Sequence, residues 1–383
     1  MKSKASIKKQ LFFRSFSNFK KYSEHKCLKK NNLNIIDLFC GCGGFSLGFK
    51  KAGFNILSGI DNDKNALNTF FNNKIAESIK MDLSKDKNLK DLHQKLLSKN
   101  LDVIIAGPPC QGFSITGPKK LEDPRNRLYL AVIKLINLTK PKAFVIENVK
   151  GMKSLYNGEV IREILSRKEL VNYHVNFKIL NAADYGVPQF RERVFIIGYL
   201  KDYNVENFFP EPRYFQDDYI TCGEAISDLS DRNSEIIGKE IDDYENSENL
   251  TSYQKLIRMN SDKLYNHTAT VHTKHVIDVI SKVPEGGNYK DLPEGVGSSR
   301  NFGCAWTRFN SNRPSNTIDT GHRNHFHYKF NRVPTMRENA RLQSFPDNFF
   351  FSGNKTSQNR QIGNAVPPLL AKCIAEHVFN VIR

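Results

Sequence analysis

A thiol, a carboxylate and two guanidiniums stand at the ends of strand-like segments in this sequence. They are Cys110 in Gly107-Pro108-Pro109-Cys110-Gln111-Gly112, Glu147 in Phe144-Val145-Ile146-Glu147-Asn148-Val149, and Arg191 and Arg193 in Gln189-Phe190-Arg191-Glu192-Arg193-Val194. Together they could attack an electron-poor ring, stabilise charge on its nitrogen and hold its carbonyl oxygen. A cysteine straight after two prolines is an odd choice for packing alone. Neither proline offers an N–H, and each biases the residue before it towards an extended conformation. Most free cysteines are nonetheless small buried hydrophobes, so the hexapeptide alone does not decide the matter.

The elements that must position these groups read as an α/β alternation. Val103-Ile104-Ile105-Ala106 has the continuous apolar character of a buried parallel strand, and open α/β sheets place their chemistry just beyond such strand ends. Around Glu192, the period-2 geometry of an extended chain puts Arg191 and Arg193 on one side and Glu192 on the other. Asp37-Leu38-Phe39-Cys40-Gly41-Cys42-Gly43-Gly44-Phe45 follows the strand-like Ile35-Ile36 and opens a helix in which Phe45 and Phe49 share a face, with Gly53 as its cap. The next strand, Ile56-Leu57, leads to Asp61, twenty residues beyond Gly41, the spacing at which an acid reaches ribose hydroxyls. Asp82, after a further apolar turn, could accept a hydrogen bond from an adenine amino group. An adenosine-containing cofactor is expected; at this point a dinucleotide and S-adenosylmethionine both remain open.

The order and spacing of these stretches, with Gly363-Asn364-Ala365-Val366-Pro367-Pro368 near the end, resemble the bacterial DNA (cytosine-5)-methyltransferase family of restriction–modification systems. The resemblance covers most of the chain outside residues 1–32 and roughly 201–305. It implies a Rossmann-like α/β methyltransferase domain with a smaller, irregular target recognition domain. The expected partition is a basic extension at 1–32, a catalytic and cofactor domain at 33–200, target recognition at 201–335, and a hinge and returning segment at 336–383. It also implies S-adenosyl-L-methionine as cofactor, held by Phe39, Gly41, Cys42, Gly43, Asp61, Asn62, Asp82, Leu83, Pro109, Leu128, Asn364 and Ala365. Asn62 departs from the family's habit of placing a bulky residue after the ribose-binding acid, which puts adenine stacking there in question.

In the implied mechanism Cys110 adds to carbon 6 of a flipped-out cytosine, making carbon 5 nucleophilic. Glu147 contacts ring nitrogen 3 and the exocyclic amine, Arg193 holds the carbonyl oxygen, and Arg191 supports the loop or the thiolate. The segment from Gly112 to Arg127 is the expected closing loop. Gln111, Ser114 and Thr116 would meet DNA there, and Arg308, Arg313, His322, Arg323, His325 and Lys329 form the pool of contacts in the recognition region. Duplex DNA is the expected partner and a monomer the expected state, with room for a cognate restriction endonuclease acting on the same site.

Composition agrees with this reading. The chain has 383 residues and a formal net charge of +17, which suits a polyanion. Residues 1–32 carry nine lysines and Arg14 against Glu24 alone, and the rest of the chain is still basic. That leader reads as a solubilising or poorly ordered segment rather than a phosphate-touching arm. No apolar stretch of membrane-spanning length and no signal-peptide core is apparent, so the expected location is the bacterial cytoplasm, where a key thiol stays free. The seven cysteines lack paired zinc spacing, Cys40 and Cys42 form C-x-C, and the histidines at 272, 275, 322, 325 and 327 lack carboxylate or cysteine companions, so no metal is expected.

Residues 201–305 lose the strand–helix alternation and include an acidic stretch at 235–248 that reads as a solvated loop. Regularity returns in a short helix over Arg337–Gln343 and a last helix from Leu369 to Val381, apolar along Leu370, Ile374, Val378 and Val381. Three other readings compete: the related transfer-RNA cytosine methylase, a nicotinamide oxidoreductase that would leave Cys110, Glu147 and Arg193 idle, and a cofactor- or DNA-binding protein without activity.

Overall fold

In a computed structural model, residues 33–109, 128–154, 158–245, 248–298, 303, 305–321 and 323–383 are described. Seven strands form one sheet: β1 (Asn34–Leu38), β2 (Asn55–Asp61), β3 (Glu77–Lys80), β4 (Leu101–Ala106), β5 (Ala143–Val149), β6 (Tyr173–Asn181) and β7 (Glu192–Leu200), in the order β3-β2-β1-β4-β5-β7-β6. β1 to β5 run parallel, and β7 lies antiparallel to both β5 and β6. The strand order reverses between β1 and β4. That reversal opens a crevice at their carboxyl ends, the position where doubly wound sheets bind ligands.

Helices cover both faces. On one, α1 (Gly44–Lys51) packs Phe45 and Phe49 against Phe195 and Phe54. The other carries α2's neighbour layer: after α2 (Lys64–Asn72), α3 (Asp86–Leu96) and α4 (Leu128–Thr139) bury Leu89, Leu92, Val132 and Ile136 over Ile36, Ile104 and Ile146. β4 and β5 are buried along nearly their whole length, as expected of strands covered on both sides.

Beyond β7 the elements are short: α5 (Cys222–Ile226), α6 (Ser252–Arg258), α7 (Lys274–Ser281), and two-residue strands at Ile241–Asp242, Leu264–Tyr265, Thr307–Arg308 and His325–Phe326. A small separate core of Val279, Ile280, Val283, Trp306, Phe326 and Val333 holds part of this region together. The chain then returns through α8 (Met336–Leu342), α9 (Lys355–Asn364) and α10 (Pro368–Ile382).

Pro368 starts α10, where a missing N–H costs nothing, and the helix lays Leu370, Ile374 and Val378 fully buried against α1. Each such side chain contributes about 1.5–3 kcal/mol of transfer free energy. Gly48 permits the contact, because a Cβ there would collide with Ala371. By length and composition alone, Lys355–Ile382 would pass for a membrane span. It consists of α9 and α10, broken at Ala365–Pro367, and 61% of its apolar window is buried inside the protein, which makes it a core segment.

Candidate active site

The turn after β4 lies beside a glutamate. Gly107 N–H donates to Leu38 O at 3.1 Å, tying the turn to the end of β1. A Cβ on Gly107 would stand 3.7 Å from Glu147 Oε2 and 3.9 Å from Phe39 O, so the backbone passes close to both. Asn148, next to Glu147 at the end of β5, donates from Nδ2 to Pro108 O at 3.1 Å, while its Oδ1 accepts from Val149 N–H at 2.8 Å. The two prolines supply no donors of their own, and among the described residues this clamp on a carbonyl ties the turn to β5 as Gly107 N–H ties it to β1. Sequence reading passed over Asn148. The signal was a short amide immediately after a strand-end carboxylate, which suits bonding to nearby backbone. Pro109 is exposed. Cys110, Gln111, Ser114 and Thr116 lie outside the described residues.

Glu147 and Arg193 meet because of strand register. Val149 is paired with Arg193 and Glu147 with Phe195, so Glu147 and Arg193 are diagonal neighbours on one face of the β5–β7 pair. Arg193 Nε lies 3.2 Å from Glu147 Oε1, with both side chains largely buried. Burial raises the Glu147 pKa above its ordinary value, and the attraction of Arg193 and Arg191 offsets only part of that rise.

Arg191 is 1% exposed and donates from Nη2 to Gly363 O at 2.7 Å and Ala365 O at 3.1 Å. Among the described residues its Nε and Nη1 find no acceptor, an expensive state for a buried guanidinium and one suited to receiving an anionic or carbonyl group. Glu192 turns the other way, is exposed and pairs with Lys150 at 2.7 Å.

At the neighbouring strand ends, Phe39 sits at φ 59 and Gly41 at φ +53, with nothing within 4 Å of where a Gly41 Cβ would be. Gly41 N–H donates to Asp61 Oδ2 at 2.8 Å, and Asp61 Oδ1 accepts from Asn62 and Asp63 N–H at 2.7 and 2.9 Å. Three backbone amides therefore fix this carboxylate at the end of β2. Asp82 is held by Ser84, whose hydroxyl and amide keep its pKa low.

Asn62 and Asn364 are exposed, Leu128 is half-buried at the start of α4, and Ala365 presents its carbonyl to Arg191. Two expected cofactor residues, Cys42 and Leu83, turn their side chains elsewhere, and Gly43 has no room for one. Cys42 points its thiol at Gln361 O, Leu83 is core, and a Cβ on Gly43 would run into Ile75 and Phe70. Only their backbones are left to meet a ligand.

Among the expected DNA contacts, Arg308 requires correction. It is 6% exposed and donates to Ile280 O at 2.6 Å, Val283 O at 2.8 Å, Asn331 Oδ1 at 2.8 Å and His327 O at 3.2 Å. It is a structural arginine that ties α7 to the strands behind it. His325 is likewise buried, stacked on Phe309 with ring centres 5.4 Å apart. Arg313, Arg323 and Lys329 are exposed; His322 lies outside the described residues.

The strand order, the mainly parallel sheet covered on both faces and the carboxylate–guanidinium cluster are those of a Rossmann-like methyltransferase. A family model for C-5 cytosine-specific DNA methylases matches residues 33–380. The type II methyltransferase M1.HphI of Haemophilus parahaemolyticus is 38% identical over 357 residues, covering 91% of this chain and 87% of that protein. M.DdeI of Desulfomicrobium norvegicum is 39% identical over 379 residues, covering 90% and 88%. A solved E. coli structure, described as a candidate prophage-encoded DNA modification methyltransferase, superposes with a TM-score of 0.74 at 28% identity, covering 91% of this chain and 99% of that one. The chain belongs to the C-5 cytosine-specific DNA methylase family, as a type II DNA (cytosine-5-)-methyltransferase.

Proposed function

We propose that this enzyme methylates carbon 5 of a flipped-out cytosine within a specific duplex sequence, using S-adenosylmethionine and a covalent Cys110 adduct, and so protects host DNA in a restriction–modification system. The observation that carries the reading is the Glu147–Arg193 pair at 3.2 Å beside the Gly107–Pro109 turn, one residue before Cys110. Supporting it, the related M1.HphI and M.DdeI are type II methyltransferases.

The open space at Gly41, the anchored Asp61 and the exposed Asn364 fit S-adenosylmethionine. Phe39, Asp61, Asp82, Leu128 and Asn364 would hold it through side chains, and Gly41, Cys42, Gly43, Leu83, Pro109 and Ala365 through backbone. When bound, it supplies an electrophilic methyl group to carbon 5. The chain's own residues do the rest. The Cys110 thiolate attacks carbon 6, and the electron pair displaced from the ring double bond moves into the ring. Glu147, with its raised pKa, offers a proton at ring nitrogen 3 and accepts from the exocyclic amine. Arg193 donates to the carbonyl oxygen. Among the described residues Arg191 Nε and Nη1 have no acceptor, and they would donate to the thiolate or the loop that carries it. After transfer, a base removes the carbon 5 proton, Cys110 leaves as thiolate as the double bond between carbon 5 and carbon 6 re-forms, and the nitrogen 3 proton returns to Glu147, restoring the neutral aromatic ring.

Residues 33–200 would form the catalytic domain and 201–335 the reader of sequence, with Arg313, Arg323 and Lys329 as exposed cations for phosphates or bases. Residues 336–383 return to the catalytic sheet. Bisulfite sequencing of DNA from cells expressing the chain tests the reading. One cytosine in a fixed short sequence should be protected throughout the genome. Absence of protection with folded protein, or methylation of transfer RNA instead of duplex DNA, would contradict it.

A further inference from the structure

Gln189 and Gln343 take no part in the chemistry above, yet both are fully buried and bonded to each other. The bonds run in one direction. Ile318 N–H donates to Gln189 Oε1 at 3.1 Å, Gln189 Nε2 donates to Gln343 Oε1, and Gln343 Nε2 donates to Ala365 O at 2.6 Å. Neither amide could be turned over without setting donor against donor or acceptor against acceptor, so the polarity is fixed by three backbone groups: Ile318 N–H and Ala365 O at its ends, and Leu342 O, which accepts from Gln189 Nε2 at 3.2 Å. Bonds aligned head to tail in a buried chain strengthen one another.

The two ends of this chain lie in functionally different places. At one end, residues 315–318 are stitched to the loop before β7. Ser315 N–H donates to Pro188 O at 3.0 Å, Phe190 N–H to Ser315 O at 2.8 Å, and Thr317 Oγ1 to Phe190 O at 2.7 Å. This segment continues from the exposed Arg313 and leads towards the exposed Arg323. At the other end, Ala365 O also receives Arg191 and directly follows Asn364. A loss of seating at 315–318 would free the Gln189 acceptor, leave its amide held only from the donor side by Leu342 O and Gln343 Oε1, and so loosen the orientation of Gln343 towards the Ala365 carbonyl.

We propose that Gln189 and Gln343 are positioning residues that couple engagement of DNA by the recognition region to the cofactor-side segment 363–365. The inference rests on the assignment of Asn364 to the cofactor. Coupling of this kind is a free energy shared between two sites, so it must appear equally in either direction of measurement.

The test is calorimetric binding of S-adenosylhomocysteine, the unreactive product, to the full chain alone, with duplex DNA bearing the mapped site, and with duplex lacking it. In the wild type, specific duplex should tighten binding by roughly 5–150-fold. In Gln343→Leu the ratio with and without specific duplex should fall to within about twofold of unity, and the gain in DNA affinity on adding S-adenosylhomocysteine should shrink by the same factor. Gln343→Met, similar in length but without a donor for Ala365 O, should behave alike and serves if the leucine variant does not fold. A wild type that does not bind S-adenosylhomocysteine would overturn the cofactor reading itself. A wild type that binds without coupling would overturn the relay alone. So would variants that weaken both arms equally while the ratio stands, which would make Gln343 a structural residue only.

Discussion

Arg193 Nε stands 3.2 Å from Glu147 Oε1 across the diagonal of the β5–β7 pair, with the glutamate in surroundings that raise its pKa. The arrangement holds a carboxyl that can carry a proton next to a fixed cation, and both groups come from sheet positions that resist movement. Glu147→Gln keeps the shape and removes the proton transfer. Its methyl-transfer rate should drop by roughly two to four powers of ten with DNA affinity nearly unchanged. A variant that loses DNA affinity while the chemical step stays intact would make Glu147 a structural cap, and single-turnover assays separate the two outcomes.

Asn148 offers a subtler test. Its Nδ2 bond to Pro108 O is the lateral clamp on the turn that leads into Cys110. Asn148→Ala should leave S-adenosylhomocysteine binding within about twofold but slow the chemical step by roughly a hundredfold, the scale for a nucleophile displaced by about an ångström. Unchanged turnover would show that the turn is held by its prolines alone.

Much of the catalytic half was legible because periodicity and position act locally. The apolar run Val103–Ala106 reads as a covered strand, and alternation around Glu192 put the two arginines on the side opposite Glu192; in the structure Arg191 is buried, Arg193 half-buried and Glu192 exposed. The recognition half was less legible because its arginines do not signal their burial. Arg308 reads as a DNA contact when charge is taken as exposure, yet its five donors are spent on the carbonyls that end α7 and on neighbouring loop groups. The same holds for Arg337 and Arg341 of α8, both fully buried, one capping carbonyls of Tyr265 and Pro346 and the other bridging Asp347 and Asp228. Some of these partners, such as Tyr265 and Asp228, are distant in sequence, and the nearer ones, Pro346 and Asp347, lie beyond the end of the helix, where no periodicity reveals them. Gln343 escaped notice for the same reason.

The correction at Arg308 has a direct consequence. Arg308→Ala should lower folding stability by roughly 2–4 kcal/mol, because several buried carbonyls lose their donor. Arg313→Ala and Lys329→Ala, at exposed positions, should barely change the melting temperature but weaken DNA binding and reduce its salt dependence. Denaturant titration beside DNA binding at two salt concentrations distinguishes the classes. An Arg308→Ala protein of wild-type stability with poor DNA affinity would restore it as a contact.

Acid should loosen the recognition region before the sheet. His327 Nδ1 accepts from Lys329 and Phe330 N–H, and His267 lies between Thr335 Oγ1 and Ser230 O; burial pushes both pKa values down to about 4. Lowered folded-state values mean that the unfolded chain binds protons first. Their contribution is complete above about 6.5, the ordinary histidine value, and is lost progressively as pH falls towards about 4. The melting temperature should therefore decline over that window, and His327→Gln should flatten the decline. An equal slope in the variant would place the acid sensitivity elsewhere.

The covalent step is tested most directly with duplex DNA carrying 5-fluorocytosine at the target position, once bisulfite mapping has identified the site. Fluorine cannot leave as a cation, so elimination stalls after methyl transfer and Cys110 stays joined to carbon 6. The account predicts an adduct that survives denaturing electrophoresis, requires S-adenosylmethionine, and is absent with Cys110→Ser or with DNA lacking the site. Active wild-type enzyme that leaves no adduct on that duplex would contradict the covalent mechanism.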